Sequence, residues 1–139
     1  ISALDMSDVI IVVTAPDIPT LQNTGKCLDI LLEAFKYPQE KVVVALNRAD
    51  GGAGLTTEDI CKGLQYQVRW ELPSDGRNVI WSANCGRPLV IERPKTALAE
   101  AINAMANGLI WQLVSEPAEE KPARAFRRRG VLNWLTSRK

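Results

Sequence analysis

Val42-Val43-Val44-Ala45-Leu46, followed without a break by Asn47-Arg48-Ala49-Asp50, is the stretch on which the fold turns. Five consecutive apolar residues, three of them β-branched, match a strand buried on both faces of a parallel sheet, and the abrupt polar change marks its carboxyl end. Upstream, residues 9–14 (VIIVVT) form a second such run, and residues 67–72 (QVRWEL) form a weaker third, nearer an edge. Between the first two, Leu21, Leu28, Leu31, Leu32 and Phe35 recur at helical spacing, with Asp17 or Thr20 as the cap and Pro38 as the stop. Thr56 and Asp59 are spaced for a capping box at the start of the next helix. A short helix over 76–84 should end at Gly86, with Pro88 close behind. The longest helix, 96–113, carries a stripe of Leu98, Ile102, Met105, Leu109, Ile110 and Leu113. The order β-α-β-α-β-α-α predicts an α/β fold: part of a doubly wound parallel sheet with right-handed crossovers and helices on both faces.

Composition narrows the chemistry. The 139 residues include no histidine, which removes Ser-His and Cys-His catalysis and most zinc sites. Cys27, Cys61 and Cys85 are odd in number and lack metal-ligand spacing, so they read as incidental thiols in a reducing compartment. No apolar run nears the roughly 18 residues of a membrane span, and no basic leader precedes the first strand. A first residue of Ile rather than Met suggests a piece of a longer protein. The net charge of +1 is unevenly spread. Six basic and no acidic side chains lie between Arg124 and Lys139, against 11 basic and 16 acidic in the rest.

Open α/β sheets bind ligands beyond the carboxyl ends of their strands. Two segments fall there. Asn47 offers an amide that can read a purine edge, and Arg48 a planar guanidinium that can stack on a base, although polar residues after a strand also serve simply as turn formers. Pro73, Ser74 and Asp75 follow the third strand, where they can either cap the next helix or edge a bound base. Asn47-Arg48-Ala49-Asp50 with Ser82-Ala83-Asn84 also fits the guanine-reading motifs of GTPases, in which Asp50 would accept hydrogen bonds from the base.

The apolar strand ending in Ala15-Pro16-Asp17, Leu21 and Asn23 in the next helix, VVVALNR over 42–48, LPSDGRNVIWSANCGRPLV over 72–90 and PKTALAEAI over 94–102 together resemble the MinD/ParA deviant Walker ATPases, particularly the CpaE (TadZ) branch. The resemblance covers about residues 4 to 112 and is most specific over 72–90. It implies that Asn47 and Arg48 flank an adenine and that Pro73, Ser74 and Asp75 close its other side. It further implies ATP as ligand with Mg2+ held by a phosphate-binding half, a homodimer, and a role in positioning machinery such as a Flp/Tad pilus apparatus. No G-x-x-x-x-G-K-[ST] occurs in the chain, so the phosphate cradle and the magnesium-binding hydroxyl are absent from it. The chain alone is therefore expected to be inactive, and a non-hydrolysing pseudo-ATPase scaffold is the alternative for the intact protein. No nucleic-acid partner is indicated.

Residues 1–114 thus read as the C-terminal part of a nucleotide-binding domain, 115–125 as a linker and 126–139 as a basic amphipathic tail. In a helix from Gly130, Val131, Leu132, Trp134 and Leu135 would share an arc of roughly 160°, just after Arg127, Arg128 and Arg129. MinD-type proteins end in similar segments that touch anionic lipid. Membrane contact, a solvated tail and docking on protein all remain open from the residues alone. The expected location is cytoplasmic, peripheral at the inner membrane face if the tail binds lipid.

Overall fold

The computed structural model describes residues 2–51 and 54–115. Three parallel strands, β1 (Ile10–Thr14), β2 (Val42–Asn47) and β3 (Val68–Leu72), lie side by side in that order. Helices α1 (Ser2–Met6), α2 (Ile18–Asp29), α3 (Thr57–Leu64), α4 (Gly76–Cys85), α5 (Leu89–Glu92) and α6 (Ala97–Ser115) surround them. The α/β class, the three strands and the parallel order are those read from the sequence. The short helices α1 and α5 were not anticipated.

Local chemistry sets the boundaries. Asp17 caps α2 by accepting the Thr20 N–H at 2.9 Å. Hydrogen bonding from Thr20, first its side chain and then its backbone, holds the Asp17 carboxyl below the usual carboxylate range. Thr56 and Asp59 form the reciprocal capping box of α3. Gly86, at φ 63°, closes α4 in the left-handed conformation expected of it. One expectation needs correcting. Pro38 does not stop the helix after β1: α2 passes into a π-helical turn, Ile30–Ala34, and Lys36 leaves it at φ 58°, two residues earlier.

The first face of the sheet is closed. Ile10, Val42, Val44 and Leu46 meet Leu21, Leu28 and Leu31 from the α2 segment, Ile60 and Leu64 from α3, and Tyr66. The Tyr66 hydroxyl donates to the Val42 carbonyl at 2.6 Å, so its polar end is satisfied inside the core.

The second face depends on an irregularity. Val44 pairs with Val68, but Ala45 pairs with Trp70, which leaves Arg69 as an extra residue in β3. Because strand side chains alternate, that one residue moves Trp70 and Leu72 onto the side of Val43 and Ala45. Helix α6 packs on β3 there, and Leu72 joins the cluster of Leu89, Leu98 and Ala99. Gly108 makes the close approach possible, since a Cβ at that position would overlap the Trp70 ring. Among the described residues, nothing closes this face beyond β2: Val43 and Ala45 are 3% and 0% exposed, whereas Ile11 and Val13 on β1 are 41% and 60% exposed. The apolar stripe of the last helix is only partly used. Leu98 is buried, but Ile110 and Leu113 are exposed, contrary to a continuous core stripe. No helix among the described residues is long and apolar enough to cross a membrane.

Candidate functional site

Parallel pairing brings the carboxyl ends of the three strands, Thr14, Asn47 and Leu72, to one side of the sheet. The segment leaving β2 turns at once. The Asn47 side-chain oxygen accepts the Arg48 N–H at 3.0 Å, Arg48 takes up a left-handed φ of 55°, and Gly51 donates back to the Arg48 carbonyl at 2.9 Å. A non-glycine residue in that conformation costs on the order of 1 kcal/mol and persists only where its surroundings impose it. Gly51 is one such constraint. A Cβ there would stand 2.8 Å from the Arg48 carbonyl oxygen, with Pro16 of the loop after β1 behind it at 3.6 Å. With its oxygen committed to Arg48, the Asn47 amide has its NH2 to donate, which suits a ring-nitrogen acceptor on a purine.

The loops after β2 and β3 are joined directly. Ala49 N–H donates to the Leu72 carbonyl at 3.0 Å, extending the strand pairing past the end of β2. Asp50 Oδ1 then accepts the Ser74 N–H at 2.6 Å. Both ends of this contact are exposed, but an ionised acceptor makes it one of the stronger hydrogen bonds of its kind.

Asp75 faces the helix that follows. It caps α4 by accepting the Asn78 N–H at 3.3 Å, and its other oxygen accepts from the Asn78 side-chain amide at 2.8 Å. The Asn78 oxygen in turn accepts from the Arg93 guanidinium, which lies 4.1 Å over the Trp81 ring. The turn at Pro73–Asp75 is thus held from both sides, by Asp50 in front and by Asn78, Arg93 and Trp81 behind.

Of the residues singled out from the sequence, Asn47, Arg48, Pro73, Ser74 and Asp75 all lie on these two adjoining loops. Asn47, Pro73 and Asp75 are half-buried; Arg48 and Ser74 are exposed. Helix capping, one of the two roles open to Asp75, is made. The linkage of Asp50 to Ser74, 24 residues on, and the support from Arg93 had no sequence signal. Arg127, Arg128, Arg129, Val131, Leu132, Trp134 and Leu135 lie outside the described residues, as do the linker after Ser115 and Gly52-Ala53 of the glycine-rich loop.

The donor set fits a nucleobase: an amide, a guanidinium and a rigid backbone turn on two loops. It does not fit a triphosphate with its magnesium. The chain has no phosphate-cradling motif, and among the described residues no cluster of three His, Cys, Asp or Glu could hold a metal.

Solved structures similar to this one include a ParA family ATPase and MinD proteins. A ParA family ATPase from Chlorobium tepidum TLS superposes with a TM-score of 0.65 at 25% identity over 80% of this chain and 43% of its own. The MinC:MinD cell division protein complex of Aquifex aeolicus gives 0.65 at 24% identity over 87% of this chain and 48% of that one. MinD of Aquifex aeolicus gives 0.64 at 24% identity, covering 86% and 49%. The chain therefore spans about half the length of these neighbours. No protein-family model matches it, and no curated protein matches it.

Proposed function

We propose that this chain supplies the adenine-binding half of a ParA/MinD-like ATPase domain, with Asn47 and Arg48 on one side of the base and the Pro73-Ser74-Asp75 turn on the other. The observation that carries the reading is the meeting of these two loops at the carboxyl ends of adjacent parallel strands, where open α/β sheets take their ligands. Adenine is favoured over guanine because Arg48 stands where the guanine motif carries Lys, and because the Pro73-Ser74-Asp75 turn with the GRPLV exit over 86–90 fits the MinD-like pattern. In the intact protein, ATP with Mg2+ bound by a phosphate-binding half would drive homodimerisation. The resemblance to the CpaE branch makes a Flp/Tad pilus apparatus the proposed machinery, and the basic tail the proposed contact with anionic lipid.

Calorimetric titration of the 139-residue chain with adenosine and guanosine tests the base site without needing phosphate contacts. Adenosine is expected to bind more tightly. Asn47→Ala should cost about 1–3 kcal/mol of that affinity, more than Asp50→Ala does. Tighter binding of guanosine, with Asp50→Ala the more damaging change, would install the GTPase-like reading instead. ATP turnover by the chain alone is expected at background.

A further inference from the structure

We propose that Asp50 is a positioning residue for the base site: it touches no base, but fixes the turn at Pro73–Asp75 relative to Asn47 by gripping the Ser74 backbone. The inference rests on the adenine reading and deepens it. Two features assign the role. First, the loops carrying the candidate base contacts leave different strands, and the described residues give two direct hydrogen bonds between them. The Ala49–Leu72 bond continues the sheet and fixes the loop bases. The Asp50–Ser74 bond, at 2.6 Å, lies further out, at the level of the candidate base contacts.

Second, Asp50 is itself held in place by the turn it belongs to. Left-handed Arg48, the Asn47 side chain accepting the Arg48 N–H and the Gly51-to-Arg48 hydrogen bond constrain the loop from Asn47 to Gly51. Asp50 therefore presents its carboxylate from a constrained backbone, and the turn at Pro73–Asp75, braced behind by Asn78 and Arg93, is captured in front. Two loops tied together need less ordering when a flat base is held between them, which is how a group remote from the ligand adds affinity.

The donor in this contact is a backbone N–H, so the side chain at position 74 is irrelevant to it. That gives a sharp set of variants. Asp50→Ala removes the acceptor and should weaken adenosine binding by about fivefold, the yield of a modest net hydrogen bond. Asp50→Asn keeps an acceptor oxygen in the same place and should restore most of the affinity. Ser74→Pro, which deletes the N–H, should match Asp50→Ala. Binding is read by amide chemical-shift titration of the 139-residue chain with adenosine. Hydrogen exchange at the Ser74 amide, measured without nucleoside, should speed up in Asp50→Ala and not in Asp50→Asn. Thermal melting should stay within a degree or two across the set, because the bond is exposed. If native chain binds adenosine and Asp50→Ala binds it equally well, the positioning role is overturned while the base site stands. If Asp50→Asn is as poor as Asp50→Ala, Asp50 acts through its charge or on the base itself, and the role is again overturned. No adenosine binding by the native chain removes the base site and this inference together.

Discussion

The two faces of the three-stranded sheet are built from equally apolar residues and finished to different degrees. On the first, Leu28, Val44 and Ile60 are fully buried, and α2 and α3 cover all three strands. On the second, α6 packs on β3 and the β2 residues Val43 and Ala45 are buried, but Ile11 and Val13 of β1 are 41% and 60% exposed. Parallel sheets are ordinarily covered on both faces. The contrast shows that apolar run length predicts a strand made to be buried twice, but not whether the second cover lies within the residues at hand.

The comparison can be broken from the closed side first. Leu28→Ala should cost about 2–5 kcal/mol, because the cavity opens in a core that cannot collapse around it; chemical denaturation measures this as a lowered midpoint at unchanged slope. On the half-covered side the vulnerable point is Gly108. Alanine there gains helix propensity but forces the half-buried Trp70 ring aside, so a net loss of about 1–3 kcal/mol is expected in the same measurement. At the open end, Val13→Thr should change stability by no more than about 0.5 kcal/mol, since little burial is lost. A large loss from Val13→Thr would show that the outward face of β1 is covered in solution.

Much of this was legible in the residues. The three strands, the capping box at Thr56 and the left-handed Gly86 follow from local chemistry, which sequence carries directly. The extra residue at Arg69 did not, because a register shift depends on how β3 meets β2 and not on β3 alone. The exposure of Ile110 and Leu113 likewise reflects which side of α6 meets the sheet: Gly108 lies against Trp70 and Gln112 accepts from Arg69, whereas Ile110 and Leu113 stay exposed. At the site, the candidate loops were located by the position of polar residues after strands. Their linkage was not, since Asp50 and Ser74 are joined only once two parallel strands align. Asp50 entered the sequence reading only as a base acceptor under the GTPase-like alternative, and its bond to the Ser74 backbone had no counterpart there.

The central claim, an adenine site between the loops after β2 and β3, is tested most directly by photo-crosslinking the 139-residue chain with 8-azidoadenosine and mapping the attachment. The account predicts labelling within residues 47–51 and 72–76, competed by adenosine far better than by guanosine and reduced in Asn47→Ala. Labelling elsewhere on the sheet, or competition favouring guanosine, would contradict it.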